Sequence, residues 1–112
     1  MERTVNTKFY TFRQNNSGGY FIINDYVAEY LIIEASSPHE AIIKMKDITE
    51  NYSEFCACCG HRWNGWIDDE DGKEIPMIYN EDAKTYRSKW DSGEIIIYYY
   101  DETKEKLRYE ER

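Results

Sequence analysis

Val27-Ala28-Glu29-Tyr30-Leu31-Ile32-Ile33-Glu34-Ala35 runs directly into Ser36-Ser37-Pro38-His39-Glu40-Ala41. The first part is rich in β-formers, and its centre, Tyr30 to Ile33, is apolar on both faces of an extended chain. Such a strand is either central, with cover on each side, or covered on one face with an aromatic surface on the other. The second part starts a helix. Ser37 is a good N-cap, Pro38 falls at N1, where its missing N–H costs nothing, and Glu40 falls at N3 to complete a capping box. The helix is expected from about Pro38 to about Glu50. Ala41, Met45 and Ile48 share one stripe, with Ile42 beside them, so its apolar face should pack on the sheet.

Upstream, Lys8-Phe9-Tyr10-Thr11-Phe12-Arg13 reads as a strand, and residues 1–7 are polar and expected to fray. Gln14-Asn15-Asn16-Ser17-Gly18-Gly19 is dense in turn formers. Tyr20-Phe21-Ile22-Ile23 then predicts a second strand, closing a hairpin whose loop exceeds the tight two-residue kind, and Asn24-Asp25 predicts another turn. Downstream, Asn51 to Gly65 reads as irregular, and Trp66-Ile67 as a brief strand. Asp68 to Gly72 is an acidic turn. Ile75 to Tyr79 is a short strand that Pro76 confines to an edge or a strand start. Asn80 to Ser92 is polar, with room for one helical turn. Glu94 to Tyr100 is the strongest strand in the chain, Asp101 to Lys104 a turn, and Glu105 to Tyr109 its returning partner, with a short terminal helix as the alternative. The sum is one α+β domain over residues 1–112. A mostly antiparallel sheet of five or six strands carries one principal helix, about 38–50, on one face.

The 112 residues carry a formal net charge of -8. That balance argues against affinity built on nucleic-acid phosphates or anionic membrane surfaces, and it suits a partner with a basic surface. No apolar run approaches the ~20 residues of a membrane span, and no apolar core follows Met1-Glu2-Arg3-Thr4 as in a signal peptide. A soluble, cytoplasmic protein is expected. Eleven Tyr, four Phe and three Trp make aromatic residues 16% of the chain. Most fit strand faces of a small β-rich domain. A few fit a recognition surface, where Tyr and Trp are enriched.

Three constellations could carry chemistry. Cys56-Ala57-Cys58-Cys59-Gly60-His61-Arg62-Trp63 contains one C-x-x-C pair followed by glycine, the spacing of a zinc knuckle. A second C-x-x-C is missing, so a zinc ion would draw on Cys56 and Cys59, with His61, and beyond it Cys58 or the distant His39, as the remaining candidates. The plain alternative is three reduced cysteines in a turn with no cofactor, and redox chemistry is the third reading. In any of these the turn should close over the helix–sheet layer with Trp63 or Trp66 packed inward. In the second constellation, Gln14, Asn15, Asn16 and Ser17, beside Tyr10, Phe12 and Tyr20, could frame a polar and aromatic pocket. A phosphate cradle is disfavoured there because no helix begins after Gly19. In the third, Asp68, Asp69, Glu70 and Asp71 lack the alternation of a calcium loop and read as a solvated turn able to face a basic partner. No catalytic set emerges, and no enzyme is expected. A Cys–His dyad using His61 would put its members very close in sequence.

The strings Phe9-Tyr10-x-Phe12-x-Gln14-Asn15-Asn16-Ser17-Gly18-Gly19, Ile32-Ile33-Glu34-Ala35, Cys56-x-Cys58-Cys59-Gly60-x-Arg62-Trp63 and Pro76-Met77-Ile78-Tyr79 together resemble a group of short tailed-bacteriophage proteins of unknown function. The resemblance spans most of the chain from Phe9 onward. It implies a small phage-encoded protein in the cytoplasm of an infected bacterial host, of the accessory kind that acts by binding. The expected function is inhibition of a host protein with a basic surface, such as an antiviral defence component. Tyr10, Phe12, Gln14 to Ser17, Tyr20, Arg62 and Asp68 to Asp71 are the candidate contacts. The alternative is sequestration of a nucleotide signal of a host defence system, for which Lys8, Arg13, Arg62 and Arg87 are the available cations. An enzyme built on the Cys–His segment is the third possibility.

Overall fold

The computed structural model describes residues 6–14, 22–52, 55–56, 60–61, 63, 67, 71–78, 80–86 and 94–107. The doubly apolar run is the central strand β2 (Tyr30–Ala35), and the first apolar run is β1 (Lys8–Arg13). These two pair antiparallel from Lys8↔Ala35 to Arg13↔Tyr30. The helix α1 (Pro38–Thr49) follows β2, with a 3-10 turn at Glu50–Tyr52. Two short ladders come next: β3 (Phe55–Cys56) with β4 (Gly60–His61), and β5 (Met77–Ile78) with β6 (Glu81–Asp82). The last hairpin is β7 (Ile95–Tyr98) and β8 (Lys104–Leu107). The main sheet has four strands in the order β1-β2-β7-β8. Its β2–β7 pairing, from Tyr30↔Ile95 to Ile33↔Tyr98, is parallel. Parallel neighbours need a crossover connection, and α1 lies within it.

Strand alternation sorts the core into two layers. Tyr10, Phe12, Leu31, Ile33, Ala35 and Ile96 face α1, where they meet Ala41, Met45 and Trp63, with Ile42 and Ile48 packed alongside. Tyr30, Ile32, Ile95 and Ile97 face the other way and are covered by Ile78 and Ala83, with Tyr86 and Tyr99 against them. The central strand is therefore covered on both sides. Burying four consecutive residues, Tyr30 to Ile33, completely is what makes β2 the axis of the molecule.

The helix begins as its sequence dictates. Ser37 Oγ accepts from Glu40 N at 3.1 Å, and Pro38 holds the first turn. The reciprocal arm of the box reaches one residue further back than expected. Glu40 accepts from Ser36 N at 3.0 Å and from Ser36 Oγ at 3.1 Å, not from Ser37 N. The Ser36 N–H, ahead of all other causes, holds the Glu40 carboxyl below the usual carboxylate range.

Several local expectations are corrected. Ile22 and Ile23 are not in a strand, Tyr20 and Phe21 of the expected strand lie outside the described residues, and β1 pairs with Tyr30–Ala35. The reason lies in two clasps. Asn24 Oδ1 accepts from Tyr26 N at 2.8 Å and Val27 N at 3.0 Å, which makes residues 24–27 a closed turn. The Gln14 amide, described below, spends the backbone groups of Ile22. Ile67 lies outside any strand and packs on the helix-side core. Residues 80–85 form the return strand β6 and a turn closed by Thr85 N to Asp82 O at 3.0 Å, while residues 87–92, the rest of the segment expected to have room for a helical turn, lie outside the described residues. Asn80 makes that hairpin possible by adopting φ 74°, a left-handed conformation that Asn tolerates. The segment 51–65, read as irregular, contains the β3–β4 ladder.

Gly72 fixes the outer edge of β1. Its φ is +72°, and a Cβ built there would lie 2.5 Å from Lys8 Cβ and 3.1 Å from the Tyr10 ring. Next to it, Lys73 exchanges two backbone hydrogen bonds with Phe9, at 2.8 and 2.9 Å. Gly72→Ala should therefore cost about 1–3 kcal/mol, from left-handed strain and the clash with β1. Equilibrium urea unfolding measures it, and a loss under ~0.5 kcal/mol would contradict this packing.

Candidate functional site

Adjacent parallel strands bring their carboxyl ends to the same place, and crevices beside such ends are where open sheets bind ligands. Here β2 ends at Glu34 and Ala35, β7 ends at Tyr98, and α1 runs past both. Between them lies a groove of about 310 Å³. Ile33 and Glu34 come from β2, Lys44, Asp47 and Ile48 from one face of α1, and Tyr98, Tyr99, Tyr100 and Glu102 from β7 and its following turn. Three carboxylates thus stand against one ammonium in an otherwise apolar and aromatic lining.

The groove is held by its own residues. Glu34 Oε1 accepts from Tyr100 N at 2.9 Å, and Glu34 Oε2 accepts from Thr7 Oγ1, so this carboxylate ties the β7–β8 turn to β2. Tyr98 donates its hydroxyl to Tyr26 O at 2.5 Å, which holds the 24–27 turn over β7 on the helix side. Tyr99 turns its ring to the opposite face, edge-on to Phe9 with centroids 6.0 Å apart. Its hydroxyl donates to Glu105 at 2.7 Å. Burial, then the hydrogen bond to Glu105, pushes the Tyr99 phenol up to about 12, so it stays a neutral donor. Glu102 takes φ 73° in the tight turn, whose ends are joined by Tyr99 N to Thr103 O at 2.8 Å.

Lys44 is the cation among the groove's described lining residues. Its Nζ lies 4.4 Å from the centroid of the Tyr100 ring, 3.4 Å from Glu34 O and 3.6 Å from Glu40 Oε1. Asp47 and Glu102, by contrast, make no ion pair or hydrogen bond through their carboxylates among the described residues. Among the described residues, their negative charge at the groove meets no cation.

The residues singled out from sequence lie elsewhere. Tyr10 and Phe12 are buried in the helix-side core, which removes them from any contact surface. Gln14 is buried as well, and its amide serves the chain itself. Nε2 donates to Ile22 O at 2.9 Å and Ala28 O at 3.0 Å, and Oε1 accepts from Ile22 N at 2.7 Å. Asp71 is exposed in the turn before Gly72. Asn15, Asn16, Ser17, Tyr20, Arg62, Asp68, Asp69 and Glu70 lie outside the described residues, as does Cys59. Cys56 and His61 are placed by their backbone, in β3 and β4, with Phe55 opposite His61 and Cys56 opposite Gly60. Trp63 packs inward, at 6% exposure. Sequence reasoning missed Glu34, Lys44, Asp47, Tyr98, Tyr100 and Glu102. The one local signal was the Tyr98-Tyr99-Tyr100 run at the end of an otherwise aliphatic strand.

Fold and groove define an α+β domain with one helix over a four-stranded sheet and an acidic, tyrosine-lined crevice at the carboxyl ends of its parallel pair. The chain belongs to a family described as a domain of unknown function (DUF7296), whose model matches residues 7–111. No curated protein and no solved structure matches it significantly. Among the described residues, no helix is long and apolar enough to cross a membrane.

Proposed function

We propose that the protein is a phage-encoded binder that inhibits a host protein by engaging a basic surface through the groove between α1 and the β7–β8 turn. The phage assignment rests on the sequence resemblance. The binding mode rests on one observation: Asp47 and Glu102, two carboxylates without a charge partner among the described residues, flank a half-exposed tyrosine face. Complementary charge of this kind steers association and sets partner choice. Tyrosine adds contact area at small entropic cost. A host component that normally holds nucleic acid or a nucleotide presents such a basic surface. Occupying that surface would inhibit it without any chemistry by the binder.

The same charge balance weighs against sequestration of a nucleotide, since phosphates need local cations and, among the described residues, the groove supplies Lys44 alone. Co-purification from host cells tests the reading, with wild type beside the double variant Asp47→Lys, Glu102→Lys. The expected result is a stoichiometric protein partner held by wild type and weakened by on the order of tenfold or more in the variant, at an unchanged melting temperature. Recovery of no stoichiometric partner, or equal retention by both, would overturn it. A nucleotide mass on the wild-type protein in native mass spectrometry would favour sequestration instead.

A further inference from the structure

Lys44 already does inside the molecule what a basic partner would do from outside. Its ammonium rests on the Tyr100 ring face at 4.4 Å, with the Glu34 carbonyl at 3.4 Å. That is a cation seat formed by an aromatic face and a carbonyl oxygen. Both ends of the contact are partly open to solvent, Lys44 at 36% of its side chain and Tyr100 at 37% overall. Lys44 also has somewhere else to go. Glu40, one helical turn back, is 3.6 Å away. Its hydrogen bonds to Ser36 keep it a carboxylate, so it can hold the ammonium after the ring is given up.

We propose that Lys44 is a displaceable resident of the groove, and that the group displacing it is the guanidinium of an arginine on the partner. This deepens the reading of the groove as the docking site for a basic partner and rests on it. Arginine fits better than a second lysine. A guanidinium is planar, more weakly hydrated and stacks flat on an aromatic face, whereas an ammonium must give up a tighter hydration shell. An arginine stem can lie along Ile48 and Tyr98 while its fork reaches Asp47 or Glu102, which lack a charge partner among the described residues. Lys44 would then act as an internal competitor. It neutralises the seat in the free protein and sets a threshold against weakly cationic partners, and it swings to Glu40 when arginine arrives.

The competition has a measurable sign. An arginine-bearing peptide is titrated into wild type, Lys44→Met and Lys46→Met by calorimetry, with Tyr100 followed by NMR. The same peptide carrying citrulline, neutral but of the same shape, is the control. Lys46 is an exposed lysine of the same helix that does not line the groove, so its variant changes the net charge equally. Lys44→Met should bind the arginine peptide about two- to fivefold more tightly than wild type, the gain expected when an exposed cation–π contact no longer competes. Lys46→Met should show no such gain, and citrulline should gain nothing. Lys44→Gln serves the same purpose if Lys44→Met does not keep its melting temperature. Wild-type binding with Tyr100 shifts but no tightening in Lys44→Met, or equal tightening in Lys46→Met, would overturn the role of Lys44 alone. Absence of binding to wild type and Lys44→Met alike would overturn the cation seat and, with it, the basic-partner reading.

Discussion

Trp63→Ala should lower the unfolding free energy by about 3–5 kcal/mol, the largest single loss expected in this protein. The indole is 6% exposed and packs in the layer formed by Tyr10, Leu31, Ile33, Met45 and Ile96. A chain of this length supports only a modest core, and α1 alone is one helix against a four-stranded sheet. Trp63 fills the remaining space between them, so truncation to Ala removes a large apolar surface and leaves a cavity that close-packed neighbours cannot fill. Trp63→Phe separates two effects. The Trp63 Nε1–H is buried with no acceptor among the described residues, and a buried donor left unpaired is itself destabilising. Phe keeps an aromatic ring and removes that donor, so it should recover most of the loss. Urea unfolding monitored by circular dichroism measures both variants. A loss below ~1 kcal/mol for Trp63→Ala would place the indole at the surface and make it a contact residue.

Gln14→Met should cost about 2–4 kcal/mol, although it is close to volume-conserving. The amide makes three hydrogen bonds to backbone groups: Ile22 N–H, Ile22 C=O and Ala28 C=O. The Gln14 backbone adds a fourth tie, from its N–H to Glu29 O at 2.7 Å. Methionine would fill the space and leave all three of the amide's partners unsatisfied. Each buried group that loses its partner costs about 1–3 kcal/mol, and water can rescue Ile22, which is only half-buried. Gln14→Glu should also be destabilising, because a carboxylate cannot supply the two N–H donors that the carbonyls of Ile22 and Ala28 accept. A Gln14→Met variant as stable as wild type, but deficient in partner binding, would return Gln14 to the recognition surface.

Gln14 shows why a polar string is hard to assign from sequence. Gln, Asn, Ser and Gly in a row are turn formers. Whether one such amide faces a ligand or its own backbone depends on what folds over it. Here the folding partner is Ile22 and Ala28, brought back by the Asn24 turn. The same limit hid the groove. Glu34, Lys44, Tyr100 and Glu102 are unremarkable individually: a strand end, a helix surface and a hairpin turn. They become a site only because β2 and β7 run parallel, which puts both carboxyl ends beside α1. By contrast, the inward packing of Trp63 or Trp66 was legible, because a large indole in a small domain has few alternatives to the core; Trp63 is the one that the structure shows buried, and Trp66 lies outside the described residues.

What the amino-acid sequence decides by itself is local or one-sided. The helix from Pro38 to Thr49 is written in its cap, its proline and its apolar stripe, all of which act within a few residues of each other. The apolar residues on both faces of Tyr30–Ala35 narrow its place to a strand covered on each side or one covered on a single face with an aromatic surface on the other, and the cover from both layers decides for the first. The β7–β8 hairpin is written in a strong strand, an adjacent turn and a returning run. What only the tertiary structure decides is which strands become neighbours, and in which direction. An aliphatic strand such as Ile95–Ile97 presents nearly the same apolar faces in either orientation. The choice of a parallel partner for Tyr30–Ile33 therefore falls to long-range packing, with α1 over one face and the β5–β6 hairpin over the other.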